Sequence, residues 1–259
     1  MLGGVAASAL LDERSRVEAN LARVRPDLEV PARTKLARDV FRNFAVCFAD
    51  LVVANRRRDL PAHLLRDIRG GEHLTEAGGD GRGIVVLTAH LGNWELAGRL
   101  LARMLPRPTH VVVAPEASPA VERFLRTAPG AVRFVTRRDP TSVLTLVGAL
   151  RRGEVVAMQG DRGLGNRGDV ATSFFGSAAP FPLGPFVLAR AAGVSVVPSF
   201  CILERDRRYT IAVEPPIPVA EGFEVEALAR WVSTLETVVR AHPEQWFNFF
   251  DAWSVPSAS

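Results

Sequence analysis

The sequence predicts an α/β fold: a single domain with a mainly parallel central sheet flanked by helices, carrying a helical N-terminal segment over residues 1–60. Three observations predict it. Short β-branched runs alternate with helical stretches beyond about residue 80. Turns rich in glycine and charge follow the carboxyl ends of those runs. No internal repeat or low-complexity linker divides the 259 residues, and a 47% hydrophobic content supplies an ample core for one domain.

The first strong element is a helix over Arg33 to Asn55. Leu36, Val40, Phe44, Phe48 and Leu51 recur at helical spacing, with Phe41, Ala45 and Val52 beside them and Arg56-Arg57-Arg58 at the end. Two uses fit this amphipathic helix: packing on the sheet, or lying at an interface with its basic flank on anionic headgroups. Gly83 to Ala89 follows a Gly-rich turn and reads as a buried strand; Trp94 to Leu105 reads as a helix stopped by Pro106. Further strands are expected at Thr109 to Ala114, Ala131 to Thr136, Val155 to Gln159, Val194 to Leu203 and Tyr209 to Glu214. Helices are expected at Pro119 to Arg126, Thr141 to Arg152, Pro185 to Ala192 and Phe223 to Ala241. The Gly/Pro-rich piece from Gly160 to Pro185 contains Phe174-Phe175, too apolar for a linker, and reads as a long functional loop.

Composition narrows the functional classes. No apolar stretch reaches the roughly 18–20 residues of a spanning helix, and Met1 to Leu11 is too short and too poor in basic residues for a leader, so membrane contact is expected to be peripheral. Cys47 and Cys201 lie far apart in apolar contexts, which reads as reduced core cysteines of a cytosolic compartment. A net charge of +4 and a pI near 9.9 favour anionic surfaces or ligands. No helix-turn-helix, zinc spacing or basic–aromatic motif points to nucleic acid, and none is expected as a partner. Gly-x-Ser-x-Gly, Walker and dinucleotide fingerprints are missing, and His63, His73 and His110 lack neighbours at metal-ligand spacing.

The chemistry concentrates at Thr88-Ala89-His90-Leu91-Gly92-Asn93-Trp94-Glu95. His90 falls at the carboxyl end of a strand, where open α/β sheets place ligands. Glu95 lies five positions on, and the strand-to-helix turn between them allows its carboxylate to bend back toward the ring. Such a pair would act as a general base and its orienting partner; the other reading is two residues that cap a helix. A second group of charges, Gly160-Asp161-Arg162, follows the strand Val155 to Gln159. It reads either as part of the site or as a structural pair pinning the loop.

His90-Leu91-Gly92-Asn93-Trp94-Glu95 resembles the His-x4-Asp/Glu motif of the bacterial lipid A biosynthesis acyltransferases, a superfamily that includes the phosphatidylinositol mannoside acyltransferases. Gly160-Asp161-Arg162, Ser173-Phe174-Phe175-Gly176, Pro182-Leu183-Gly184-Pro185, Ala192 to Pro198 and the terminal Pro243-Glu244-Gln245-Trp246 follow in that family's order, so the resemblance covers about residue 15 to Trp253. It implies a glycerolipid acyltransferase-like fold and transfer of a fatty acyl group from acyl carrier protein or coenzyme A to a hydroxyl of a lipid or glycolipid. His90 would be the base and Glu95 its partner. Gly92, Asn93, Asp161 and Arg162 would hold substrate, Phe174, Phe175 and Gly176 would line an acyl channel or its turn, and a further arginine is expected at Arg138 or its neighbour Arg137. No metal or cofactor is implied, since a thioester is already activated. The expected place of action is the cytoplasmic face of the bacterial inner membrane. The membrane-spanning helix that commonly precedes the Arg33 to Asn55 position in the family is not read in this sequence. The terminal Gln245-Trp246-Phe247-Asn248-Phe249-Phe250 also resembles branches serving aryl-polyene or other specialised lipids, which leaves the acceptor open. A non-catalytic lipid-binding protein on the same fold is the alternative of another class.

Overall fold

The computed structural model describes residues 2–56, 63–104, 107–114, 132–136 and 142–254. Two helices open the chain, α1 (Leu2–Val24) and α2 (Val30–Arg56). Then come β1 (Leu65–Arg69), α3 (Glu72–Ala77), β2 (Ile84–Thr88), α4 (Trp94–Met104), β3 (Thr109–Val113), β4 (Val132–Thr136), α5 (Ser142–Arg151) and β5 (Val155–Gln159). The hairpin β6 (Asp169–Phe174) and β7 (Ser177–Pro182) leads to α6 (Gly184–Ala192), β8 (Val196–Leu203), β9 (Tyr209–Val213) and α7 (Glu224–Ala241). Seven strands form one sheet in the order β1-β9-β8-β2-β5-β3-β4. Every pairing in it is parallel except β8 with β9.

β2 is the centre of this arrangement, and its residues are buried on both faces. Val85, Leu87 and Ala89 join Leu146, Leu150, Phe186, Trp231 and Leu235 in a core under α5, α6 and α7. Ile84 and Val86 join Val40, Leu96, Leu100 and Val197 in a second core under α2 and α4. Period-two alternation therefore explains why the strand reads as an unbroken apolar run: each side chain has a layer of helix to meet. Among the described helices none is long and apolar enough to cross a membrane.

One expectation needs correcting. The piece from Gly160 to Pro185 is a loop only at its start; β6 and β7 pair in register from Asp169↔Pro182 to Phe174↔Ser177. Phe175 and Gly176 form the two-residue turn between them, with φ of 49° and 74°. Two successive positive φ values suit the twist of a tight hairpin. β7 accommodates Pro180 and Pro182 because in a two-stranded ribbon an outer edge needs no N–H donor. β1, Leu-Arg-Asp-Ile-Arg, is a half-exposed edge strand with too little apolar alternation to announce itself. The helix expected at Pro119 to Arg126 lies outside the described residues.

Candidate active site

Strand register builds the site. β2 and β5 pair from Ile84↔Val155 to Thr88↔Gln159, so the two strands end level. Two residues past each end stand His90 and Asp161. His90 Nδ1 lies 2.8 Å from Asp161 Oδ1, and the His90 backbone N–H donates to Oδ2 at 3.1 Å. The indole N–H of Trp246 donates to the same Oδ2 at 3.2 Å.

Burial differs sharply across this pair. The Asp161 side chain is fully covered, whereas the His90 side chain keeps 26% exposure. Burial pushes the Asp161 carboxyl up; the charge and hydrogen bonds of His90, with the Trp246 N–H, outweigh that effect and hold it below the usual carboxylate range. An ionised carboxylate only accepts, so the bonding assigns the ring proton to Nδ1 and leaves the Nε2 lone pair available. That is the state a general base requires.

The carboxylate on Nδ1 is therefore that of Asp161, and the orienting role expected of Glu95 is met from another strand. Glu95 stands in the first turn of α4 and on the wall of a mainly apolar cavity between α4 and the sheet, with Val86, Trp94, Val111, Phe134 and Met158. Trp94 links the cavity to His90: the two rings lie 5.2 Å apart at 67°. Thr88 lies on the same wall.

Gly92 and Asn93 serve the turn rather than an open site. Gly92 has φ of 61°, and a Cβ there would lie 2.0 Å from the Cys201 carbonyl oxygen. Its N–H donates to the Gln245 carbonyl, and the Asn93 N–H donates to that of Cys201. The buried Asn93 side chain accepts from the Leu96 N–H at the start of α4 and donates to the Cys47 carbonyl and the Tyr209 hydroxyl, tying α2 and β9 to the turn.

Arg162 is exposed and stacks its guanidinium 4.0 Å over the ring of Phe250, beside the dyad and open to a ligand. Phe174 is a core residue, 1% exposed and packed on Phe181, Trp246 and Trp253, and is not among the residues on the wall of the cavity between α4 and the sheet. Phe175 and Gly176 form the hairpin turn, away from the cavity wall. Arg137 and Arg138 lie outside the described residues. His110 pairs with Glu154 at 2.6 Å near the opposite end of the sheet, a structural contact.

The segment after α7 closes the site. Phe247 N–H donates to the His90 carbonyl, and Gln245 bonds both backbone groups of Leu203. Trp246 as a partner of Asp161 escaped the sequence reading. An indole set four residues after a helix stop carries no local sign of which carboxylate it meets.

Fold and site together define an α/β protein with a carboxylate-oriented histidine at the carboxyl edge of its sheet and an apolar cavity alongside. The chain belongs to the family of bacterial lipid A biosynthesis acyltransferases, whose sequence pattern it matches over residues 1–254. It is 29% identical over 221 residues to a phosphatidylinositol mannoside acyltransferase of Mycobacterium tuberculosis, covering 83% of this chain and 66% of that protein. It is 23% identical over 247 residues to a lipid A biosynthesis palmitoleoyltransferase of Escherichia coli, covering 95% of this chain and 80% of that one. Among solved structures, the 1-acyl-sn-glycerophosphate acyltransferase PlsC of Thermotoga maritima aligns over 92% of this chain and 97% of its own, with a TM-score of 0.44 and 15% identity.

Proposed function

We propose that this protein is an O-acyltransferase that moves a fatty acyl group from a thioester of acyl carrier protein or coenzyme A to a hydroxyl of a lipid or glycolipid. One observation carries the reading: a histidine with a free Nε2, held by a buried carboxylate, stands beside an apolar cavity. His90 Nε2 takes the proton of the acceptor hydroxyl as its oxygen attacks the thioester carbon. A C–O bond forms and the carbonyl pair moves to oxygen. Collapse restores the carbonyl and breaks the C–S bond, and the thiolate leaves with the proton from the imidazolium. Asp161 fixes the ring and stabilises the imidazolium. A thioester is already activated, so the scheme calls for no metal or redox group.

The cavity between α4 and the sheet suits the acyl chain. Glu95, on its wall, is assigned to the acceptor hydroxyl, and Arg162 to an anionic group of donor or acceptor. Acceptors of the lipid A, phosphatidylinositol mannoside or a specialised class all offer such a hydroxyl. Action is proposed at the cytoplasmic face of the inner membrane, by peripheral contact. Support comes from α2, whose exposed Lys35, Arg38 and Arg42 lead along the helix to exposed Phe48 and Val53.

The test supplies labelled fatty acyl thioesters on both carriers to bacterial membrane lipids and follows label into lipid. His90→Ala is expected to fold and lose at least about 10²-fold in rate. Transfer by His90→Ala at the native rate would overturn the assignment.

A further inference from the structure

Acyl transfer needs a second device besides the base: a donor for the oxygen that gathers charge as the thioester carbonyl is attacked. Backbone N–H groups of a strand-to-helix turn are the usual source, and several of those here are engaged. The His90 N–H serves Asp161, that of Gly92 serves Gln245, and that of Asn93 serves Cys201. The Gly160 N–H serves Thr88, and that of Phe247 serves His90. The Trp246 indole is held by Asp161.

Thr88 carries a donor close by that is unspent. The Thr88 side-chain oxygen is buried and has no hydrogen-bond partner, while Thr88 itself lines the apolar cavity. The residue ends β2, two positions before His90, and alternation along the chain sets both on the α4 side of the sheet. Two residues of extended chain span at most about 6.6 Å, which leaves room for an acyl carbonyl between the cavity and His90. A step of about 120° in χ1 would carry the hydroxyl to the place its methyl group holds, since both branch from Cβ.

The position argues against a merely structural threonine. β2 reads Ile-Val-Val-Leu-Thr, and valine there would keep the shape and the β-branched preference while removing an unmade hydrogen bond. We propose that Thr88 is a catalytic residue whose hydroxyl donates to the thioester carbonyl oxygen when the acyl chain occupies the cavity. The proposal rests on the acyl-transfer reading given above.

The test compares wild type, Thr88→Val and Thr88→Ser, each as the full chain, with dodecanoyl and hexadecanoyl thioesters of coenzyme A and of acyl carrier protein. Thr88→Val is expected to lower kcat by about 10²-fold at both chain lengths, with KM changed less than about twofold and thermal midpoint unchanged or raised. Thr88→Ser is expected to restore most of kcat. Native kcat in Thr88→Val would overturn the role of Thr88 while leaving the acyl-transfer reading intact. So would a kcat loss that serine fails to restore and that tracks a fall in thermal midpoint. Absence of transfer by wild type from both carriers would overturn the acyl-transfer reading, and this proposal with it.

Discussion

Asp161→Asn changes one charge and almost no volume, and its effect follows from the hydrogen bonds already in place. Oδ2 accepts from two donors, the His90 backbone N–H and the Trp246 indole; Oδ1 faces His90 Nδ1. An asparagine satisfies all three only by keeping its oxygen toward the two fixed donors and turning its NH2 toward Nδ1. The ring proton must then sit on Nε2, so the lone pair that takes the acceptor's proton is lost. A wrong tautomer combined with loss of imidazolium stabilisation is expected to cost about 10²–10⁴-fold in rate, or about 3–5 kcal/mol of transition-state stabilisation. Steady-state transfer measures the loss, and ¹⁵N NMR of the His90 ring reports the tautomer; Glu95→Gln is expected to leave that tautomer unchanged. The same carboxylate sets an acid limit. Its folded pKa is depressed, so the stability it contributes is present above the unfolded value of about 3.9 and is lost as pH falls through the lower folded value. The gap in thermal midpoint between wild type and Asp161→Asn should thus persist above about pH 4 and shrink below it. Native-rate transfer by Asp161→Asn with an unchanged tautomer would refute the reasoning, as would a stability gap that widens in acid.

Gly92→Ala places a Cβ 2.0 Å from the Cys201 carbonyl on a backbone of φ 61°, so the turn under His90 must move. A loss of roughly 2–4 kcal/mol is expected, read as a fall of roughly 5–15 °C in thermal midpoint; a midpoint within a degree of wild type would show that the turn yields freely. Burial pushes the Cys47 thiol up to about 12, and Cys201, wholly enclosed, is raised as well. A disulfide-exchange reagent at pH 8 should label neither thiol in the native protein and both in denaturant. Rapid native labelling would show that the core around β8 opens readily.

The sheet was legible because β2, β5 and β8 carry both of their faces in apolar residues, and a run such as Ile84 to Leu87 has no other use in a chain of this kind. His90 was legible for a related reason: a histidine just past such a run stands where the sheet opens. Its partner was not. Glu95 is near in sequence, and proximity in sequence favoured it; Asp161 is brought in by the in-register pairing of two strands whose adjacency no local pattern reveals. The same limit hid the hairpin. Phe175-Gly176 lacks the Asn-Gly or Asp-Gly that usually marks a two-residue turn, and its aromatic tip suggested a channel wall instead. Phe174 likewise belongs to the core because Phe181, Trp246 and Trp253 converge on it from three segments.

Alternation in the closing segment joins these distant parts. Phe247 and Phe249 point to one side, where they meet Phe44, Phe41 and Trp94 of α2 and α4. Trp246 and Phe250 point to the other, the first to Asp161 and the second beneath Arg162. Asn20 of α1 donates to the carbonyls of Asn248 and Phe250, which fixes the register of the segment against the sheet. Side chains on one side thus hold α2, while their neighbours hold the dyad. A shift of α2 cannot leave the dyad untouched, because Asn93 grips the same helix from the turn under His90. The helix proposed to meet a lipid surface is therefore mechanically tied, at two points, to the residues proposed to carry out the chemistry.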